Sequence, residues 1–174
     1  DNALYKFNWN GSLKTAQWVP NTGGGAYPVF CYDEETQFLF DQLNDEKRDL
    51  YFDEYPDREE EYGNDEKRQY DRYAGFIMDE KLNQAAAHRL EAALANGYSG
   101  DAIPGEGTLK DYLGKISYRK NSSCRELYLR GREDVDDAFD KLIGKTQDKY
   151  DSNGKRKDSL EYYRRIGMAH AEKD

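Results

Sequence analysis

The chain has 174 residues, 35 acidic against 26 basic, giving a formal net charge of −9, and an apolar share of 37%. That length suits one domain whose core needs no metal or disulfide scaffold, and the low apolar share points to a small core under a heavily hydrated exterior. The acidic balance argues against direct binding to nucleic acid. Membrane insertion is also not expected, because no apolar run nears the roughly 18 residues a span needs, and the longest (85–95) is interrupted by His88, Arg89 and Glu91.

Residues 1–32 read as β-rich. The segment 3–9 alternates partly at period two, 13–19 is its expected partner, and Asn10-Gly11 between them is a hairpin signal. Pro20 and the glycine-rich stretch 21–25 then read as a breaker and loop. At Asp33 the texture changes. Asp33, Glu34 and Glu35 suit the positive end of a helix dipole, and Leu39, Leu43 and Leu50 supply an apolar stripe that should end near Tyr55-Pro56. Residues 57–64 read as an exposed loop or solvated turn. Tyr70, Tyr73 and Ile77 predict a helix over 65–78.

The clearest helix is 79–96, with Leu82, Ala86, Leu90, Ala93 and Leu94 on one face and Gly97 placed as its C-terminal cap. Residues 97–108 hold Gly97, Gly100, Pro104, Gly105 and Gly107 and read as a loop. A second hairpin is expected from 112–119 and 125–130, then helices over 133–150 and 158–171. The predicted fold class is α+β: two short antiparallel β-hairpins packed against about five helices in a single domain, 1–174. Within it, 1–32 is the β-rich part, 33–96 the acidic then amphipathic helical part, 97–108 a loop, and 109–174 a hairpin plus two helices.

Charge is the most informative feature. Residues 33–66 hold 15 acidic and 3 basic side chains, net −12, so the rest of the chain is mildly positive. A tract that only solvates is poor in aromatics, yet this one carries Phe38, Phe40, Tyr51, Phe52, Tyr55 and Tyr62. Acids beside exposed rings can hold a basic partner by charge and apolar contact together. The expected partner-binding residues are Glu46, Asp49, Tyr51, Asp53, Glu54, Tyr55, Asp57, Glu59, Glu60, Glu61 and Tyr62. The partner would be a protein with a basic surface, either a nucleic-acid-binding protein for which the carboxylates replace phosphates or a larger assembly. The plain alternative is a solvated helix face and loop with no partner.

Other chemistries find less support. His88 and His170 form no metal-binding spacing, and Cys31 and Cys124 form no clustered set, so no catalytic, cofactor or metal site is read. Thr22-Gly23-Gly24-Gly25 lacks the lysine and serine of a phosphate loop. Asp151-Ser152-Asn153-Gly154 starts like a calcium loop, but Lys149 and Leu160 stand where acids are needed.

Two alternatives stay open. One is a small hydrolase or transferase using Cys31, whose thiol a helix start would acidify and the neighbouring acids would not. The other is an exported or lumenal accessory protein, consistent with acceptor sequences at Asn10 and Asn121 and a chain beginning at Asp1. In that case a Cys31–Cys124 bridge would contribute about 4–5 kcal/mol. A soluble protein is expected, with cytoplasmic and exported locations equally open.

Overall fold

The computed structural model describes residues 16–20, 26–30, 33–57, 74–97, 102–118, 123–147, 152–154 and 159–172. They form a mixed α and β arrangement, roughly α+β, of four α-helices and three two-stranded sheets. In chain order these are β1 (Ala16–Pro20), β2 (Ala26–Phe30), α1 (Glu34–Glu54), β3 (Ile77–Met78), α2 (Glu80–Asn96), β4 (Ala102–Ile103), β5 (Gly107–Thr108), α3 (Leu109–Lys115) and α4 (Val135–Gln147). A 3-10 turn (Leu160–Tyr162) and β6 (Arg165–Ile166) follow.

Several sequence expectations hold and several do not. Helix α1 starts at Asp33, whose carboxylate accepts from the Thr36 N–H at 2.6 Å, and it ends at Tyr55. Helix α2 is capped by Asp79 at one end and at the other by Gly97, whose φ of 66° lies where only glycine sits without strain. The N-terminal β-rich part does contain a hairpin among the described residues. β1, which overlaps the expected strand 13–19, pairs antiparallel with β2, and Asn10-Gly11 lies outside the described residues. The short apolar run 26–30 was masked in the sequence by Pro28, and the expected strand 3–9 lies outside the described residues.

The second expected hairpin is absent from the described residues. Thr108 and Asp111 form a reciprocal capping box that nucleates α3 where a strand was expected. Leu109, Tyr112, Leu113 and Ile116 then pack together at helical spacing. Residues 124–130 run without ladder partners, although Leu127 and Leu129 do alternate into the core.

The expected helix over 65–78 fails in its described part. Gly75 lies against Asn44, whose Oδ1 accepts from Phe76 N at 2.6 Å, and Ile77 N donates to Arg164 O at 2.9 Å. Backbone tied up this way cannot be helical. The expected helix over 158–171 is also replaced. Leu160, Tyr163 and Ile166 do face the core, but Ile77 and Met78 pair with Arg165 and Ile166 in a parallel register. The described helices therefore number four, not five, and one of them, α3, was unexpected.

The main core joins Phe40, Leu43 and Leu50 of α1 to Phe76 and Met78, Leu142 of α4, and Leu160. Burial of such side chains contributes about 1.5–3 kcal/mol each. Lys47 is buried on the same face of α1. Its ammonium donates to Ala74 O at 3.1 Å and lies 5.4 Å from the Phe76 ring centroid. A second cluster, Ala85, Leu113 and Tyr118, joins α2 to α3, and Cys124 packs on it as a free thiol. Cys31, its expected bridge partner, lies outside the described residues.

Polar side chains inside α2 tie the remaining segments together. Buried Arg89 donates through Nε and Nη2 to both oxygens of Glu126, at 2.6 and 2.7 Å, and through Nη1 to Glu106 at 2.9 Å. Burial alone would disfavour its charge, but hydrogen bonding and attraction from Glu126, then Glu106, raise its pKa overall. His88 is bonded to the other Glu106 oxygen and stacked on Tyr112 at 4.7 Å.

Asp79 is a second junction. One oxygen caps α2, and the other accepts from Tyr118 Oη at 3.0 Å and Arg165 Nη1 at 2.8 Å. Burial, and then the charge and hydrogen bond of Asp79, raise the Tyr118 pKa well above its ordinary value, with Arg165 opposing. The folded state therefore keeps a proton that the unfolded chain releases above about pH 10. The Tyr118 contribution is intact below that pH and is lost as pH rises toward the raised folded value. Urea unfolding of wild type between pH 8 and 11 should show the midpoint falling above pH 10. In Tyr118→Phe this part of the decline should disappear. Equal slopes for the two proteins would count against the assignment.

Candidate docking surface

Helix α1 separates its residues by face. Thr36, Phe40, Leu43, Asn44, Lys47, Leu50 and Tyr51 are buried, and opposite them Glu34, Phe38, Asp41, Asp45, Asp49 and Asp53 are exposed. Spacings of three and four keep the exposed set on one stripe. At 1.5 Å per residue, successive members stand about 5–6 Å apart along the axis, and the whole stripe runs close to 30 Å. Phe38 near one end and Tyr55 just past the other are the large exposed rings, at 54% and 48% exposure.

Two of these carboxylates have described side-chain partners. Arg48 reaches Asp45 at 3.0 Å, and the Gln37 amide donates to Asp41 at 3.0 Å. The Asp41 pKa is raised, first by partial burial and further by the neighbouring Asp45 carboxylate, with the Gln37 hydrogen bond and Arg48 opposing. Like-charge repulsion along a helix face costs a few tenths of a kcal/mol per pair. The packing of the opposite face therefore carries this helix.

The surface continues onto a second helix. Gln42 Nε2 donates to Asp136 Oδ1 at 2.9 Å, which sets the first turn of α4 beside α1. Asp134 accepts from Asp137 N at 2.9 Å and so stabilises that turn, while Arg132 pairs with Asp137 at 3.2 Å. Glu133, Asp134, Asp136 and Asp140 are exposed there.

The expected partner-binding residues divide three ways. Asp49, Asp53, Glu54, Tyr55 and Asp57 are exposed, and Glu46 is half-buried. Tyr51 is inside, edge-on to Phe52 and 5.0 Å from the Tyr55 ring, so it supports that ring from beneath. Glu59, Glu60, Glu61 and Tyr62 lie outside the described residues. Phe38, Asp41 and Asp45 were missed, although their helical spacing opposite Leu39, Leu43 and Leu50 could have found them. The α4 acids were hidden because counting charge over a long segment averages them with nearby Arg and Lys.

No protein-family model matches the chain, and neither the curated proteins nor the solved structures contain a match. No described helix is long and apolar enough to cross a membrane.

Proposed function

We propose that this chain is a non-enzymatic accessory subunit or inhibitor that docks onto a basic protein surface through the outer face of α1 and the first turn of α4. The observation that carries this reading is the uninterrupted stripe Glu34, Phe38, Asp41, Asp45, Asp49 and Asp53, with an aromatic ring exposed toward each end. Clustered carboxylates steer a cationic partner during encounter, and exposed rings supply desolvated contact once it arrives. A protein that normally grips phosphates through Lys and Arg suits such a face, since regularly spaced carboxylates meet the same cations.

The test is capture from the native source with wild type and with a variant carrying Asp41→Lys, Asp45→Lys, Asp49→Lys and Asp53→Lys. Affinity for the captured protein is then measured across a salt series. All four positions are exposed, so the variant should fold. Its binding should weaken by about 2 kcal/mol or more, roughly thirty-fold, and wild-type affinity should fall as added salt shortens the screening length. Binding indifferent to both changes would remove this reading. If duplex nucleic acid competes for the partner, the phosphate-replacing form of the proposal is supported.

A further inference from the structure

A second feature lies at the start of α1 and does not depend on the docking proposal. We propose that Asp33, Glu35 and His170 bind a divalent transition-metal ion of the zinc class. The three residues each offer one ligand atom, and these atoms lie within 4.8 Å of one another. His170 Nδ1 stands 3.6 Å from Asp33 Oδ2. That is longer than a hydrogen bond but close to the edge of a tetrahedral shell, about 3.4 Å for metal–ligand bonds near 2.1 Å.

The imidazole is delivered by contacts that do not involve the cluster. Asp79 N donates to Ile166 O at 3.0 Å, Gly167 rests on the backbone of Leu82, and Met168 N donates to buried Asn83 at 2.9 Å. These fix the path of 166–168 across the start of α2 and bring His170 over the first turn of α1. Asp33 is held as well. Its Oδ1 caps the helix through Thr36 N, which leaves Oδ2 turned toward His170. Glu35, exposed in the first turn of α1, places a carboxylate oxygen within the same 4.8 Å.

The donor chemistry selects the ion. One imidazole with two carboxylates suits zinc and its neighbours, whereas magnesium and calcium prefer oxygen ligands throughout. The helix start opposes a cation with about half a unit of positive charge, but two carboxylates outweigh it. A bound ion would clamp the 167–172 segment onto α1 and stabilise the folded chain by mass action.

Calorimetric titration of the full chain with Zn²⁺ alone, and separately with Mg²⁺ alone, tests this. Wild type should take up one Zn²⁺ in a saturable step. Affinity should fall roughly tenfold or more in His170→Ala, in Glu35→Gln and in Asp33→Ser, the last of which keeps a capping oxygen. Zn²⁺ should raise the melting temperature of wild type by more than that of His170→Ala at the same concentration. Three results would overturn the site: no saturable Zn²⁺ binding, equal affinity in His170→Ala, or Mg²⁺ binding as tight as Zn²⁺.

Discussion

Replacing Arg89 with alanine should destabilise the protein by about 3 kcal/mol, the low end of the cost of removing one partner from a buried ion pair. For a chain of this length that corresponds to a fall in melting temperature of about 6–12 °C. The guanidinium side chain is only 3% exposed, while Glu106 and Glu126 keep 16% and 24%. Its loss therefore strands two carboxylates that water reaches only in part. It also unties three segments, since α2, the β4–β5 turn and residues 124–130 meet at this one side chain.

Lysine at position 89 would keep the charge but not the two-pronged geometry, and should recover less than half of the loss. The double variant Arg89→Met with Glu126→Leu should be more stable than Arg89→Met alone, because it no longer leaves that carboxylate unpaired. Urea unfolding curves of wild type, Arg89→Met, Glu126→Leu and the double variant decide the matter. If the double variant is the sum of its parts, coupling between the two side chains is refuted.

Gly167→Ala should cost a comparable amount, about 3 kcal/mol. A Cβ at this position would overlap the carbonyl carbon, the oxygen and the Cβ of Leu82. Overpacking is usually relieved by small shifts at about 1–3 kcal/mol, but here the backbone is pinned on both sides. Moving it would stretch the bond from Asp79 N to Ile166 O or the one from Met168 N to Asn83. The control is Gly114→Ala within α3, where a Cβ meets nothing within 4 Å. That change should be neutral or stabilise by up to about 1 kcal/mol. Hydrogen exchange at Met168 and Asp79 should quicken in Gly167→Ala. Unchanged stability and exchange would show that the segment can slide off Leu82.

The elements that could be read from the sequence were those whose information is local. Asp33 with two following acids marked the start of α1, and Gly97 marked the end of α2. The elements misread were those decided by distant contacts. Leu160, Tyr163 and Ile166 have helical spacing, yet pairing with Ile77 and Met78 draws them into strand and turn. Leu127 and Leu129 alternate as a strand would, but their segment is held by side chains: Glu126 on Arg89, and the Lys145 ammonium on Tyr128 O at 3.2 Å. At α3 a local signal was present, the Thr108–Asp111 box, and the apolar spacing after it fits period 3.6 better than period two.

The candidate docking surface was half legible. A concentration of acids over 33–66 is plain in the sequence. Which of them share a face depends on where α1 begins and how it rotates, and the contribution of α4 depends on a contact between distant segments. Tyr51 shows the limit, since ring content alone does not separate a residue that meets a partner from one that packs beneath it.

The parallel pairing of β3 with β6 has a consequence for biosynthesis. Ile77 and Met78 leave the ribosome long before Arg165 and Ile166, at translation rates that impose a delay of about 5–20 s. For most of that interval Phe40, Leu43 and Met78 have no cover from α4, and nearly to its end none from the segment around Leu160. Nascent chains with apolar surface left open associate readily with one another or with chaperones. The repelling carboxylates on the outer face of α1 are already synthesised by then, so the same stripe would help keep unfinished chains apart until the last strand arrives to close the core.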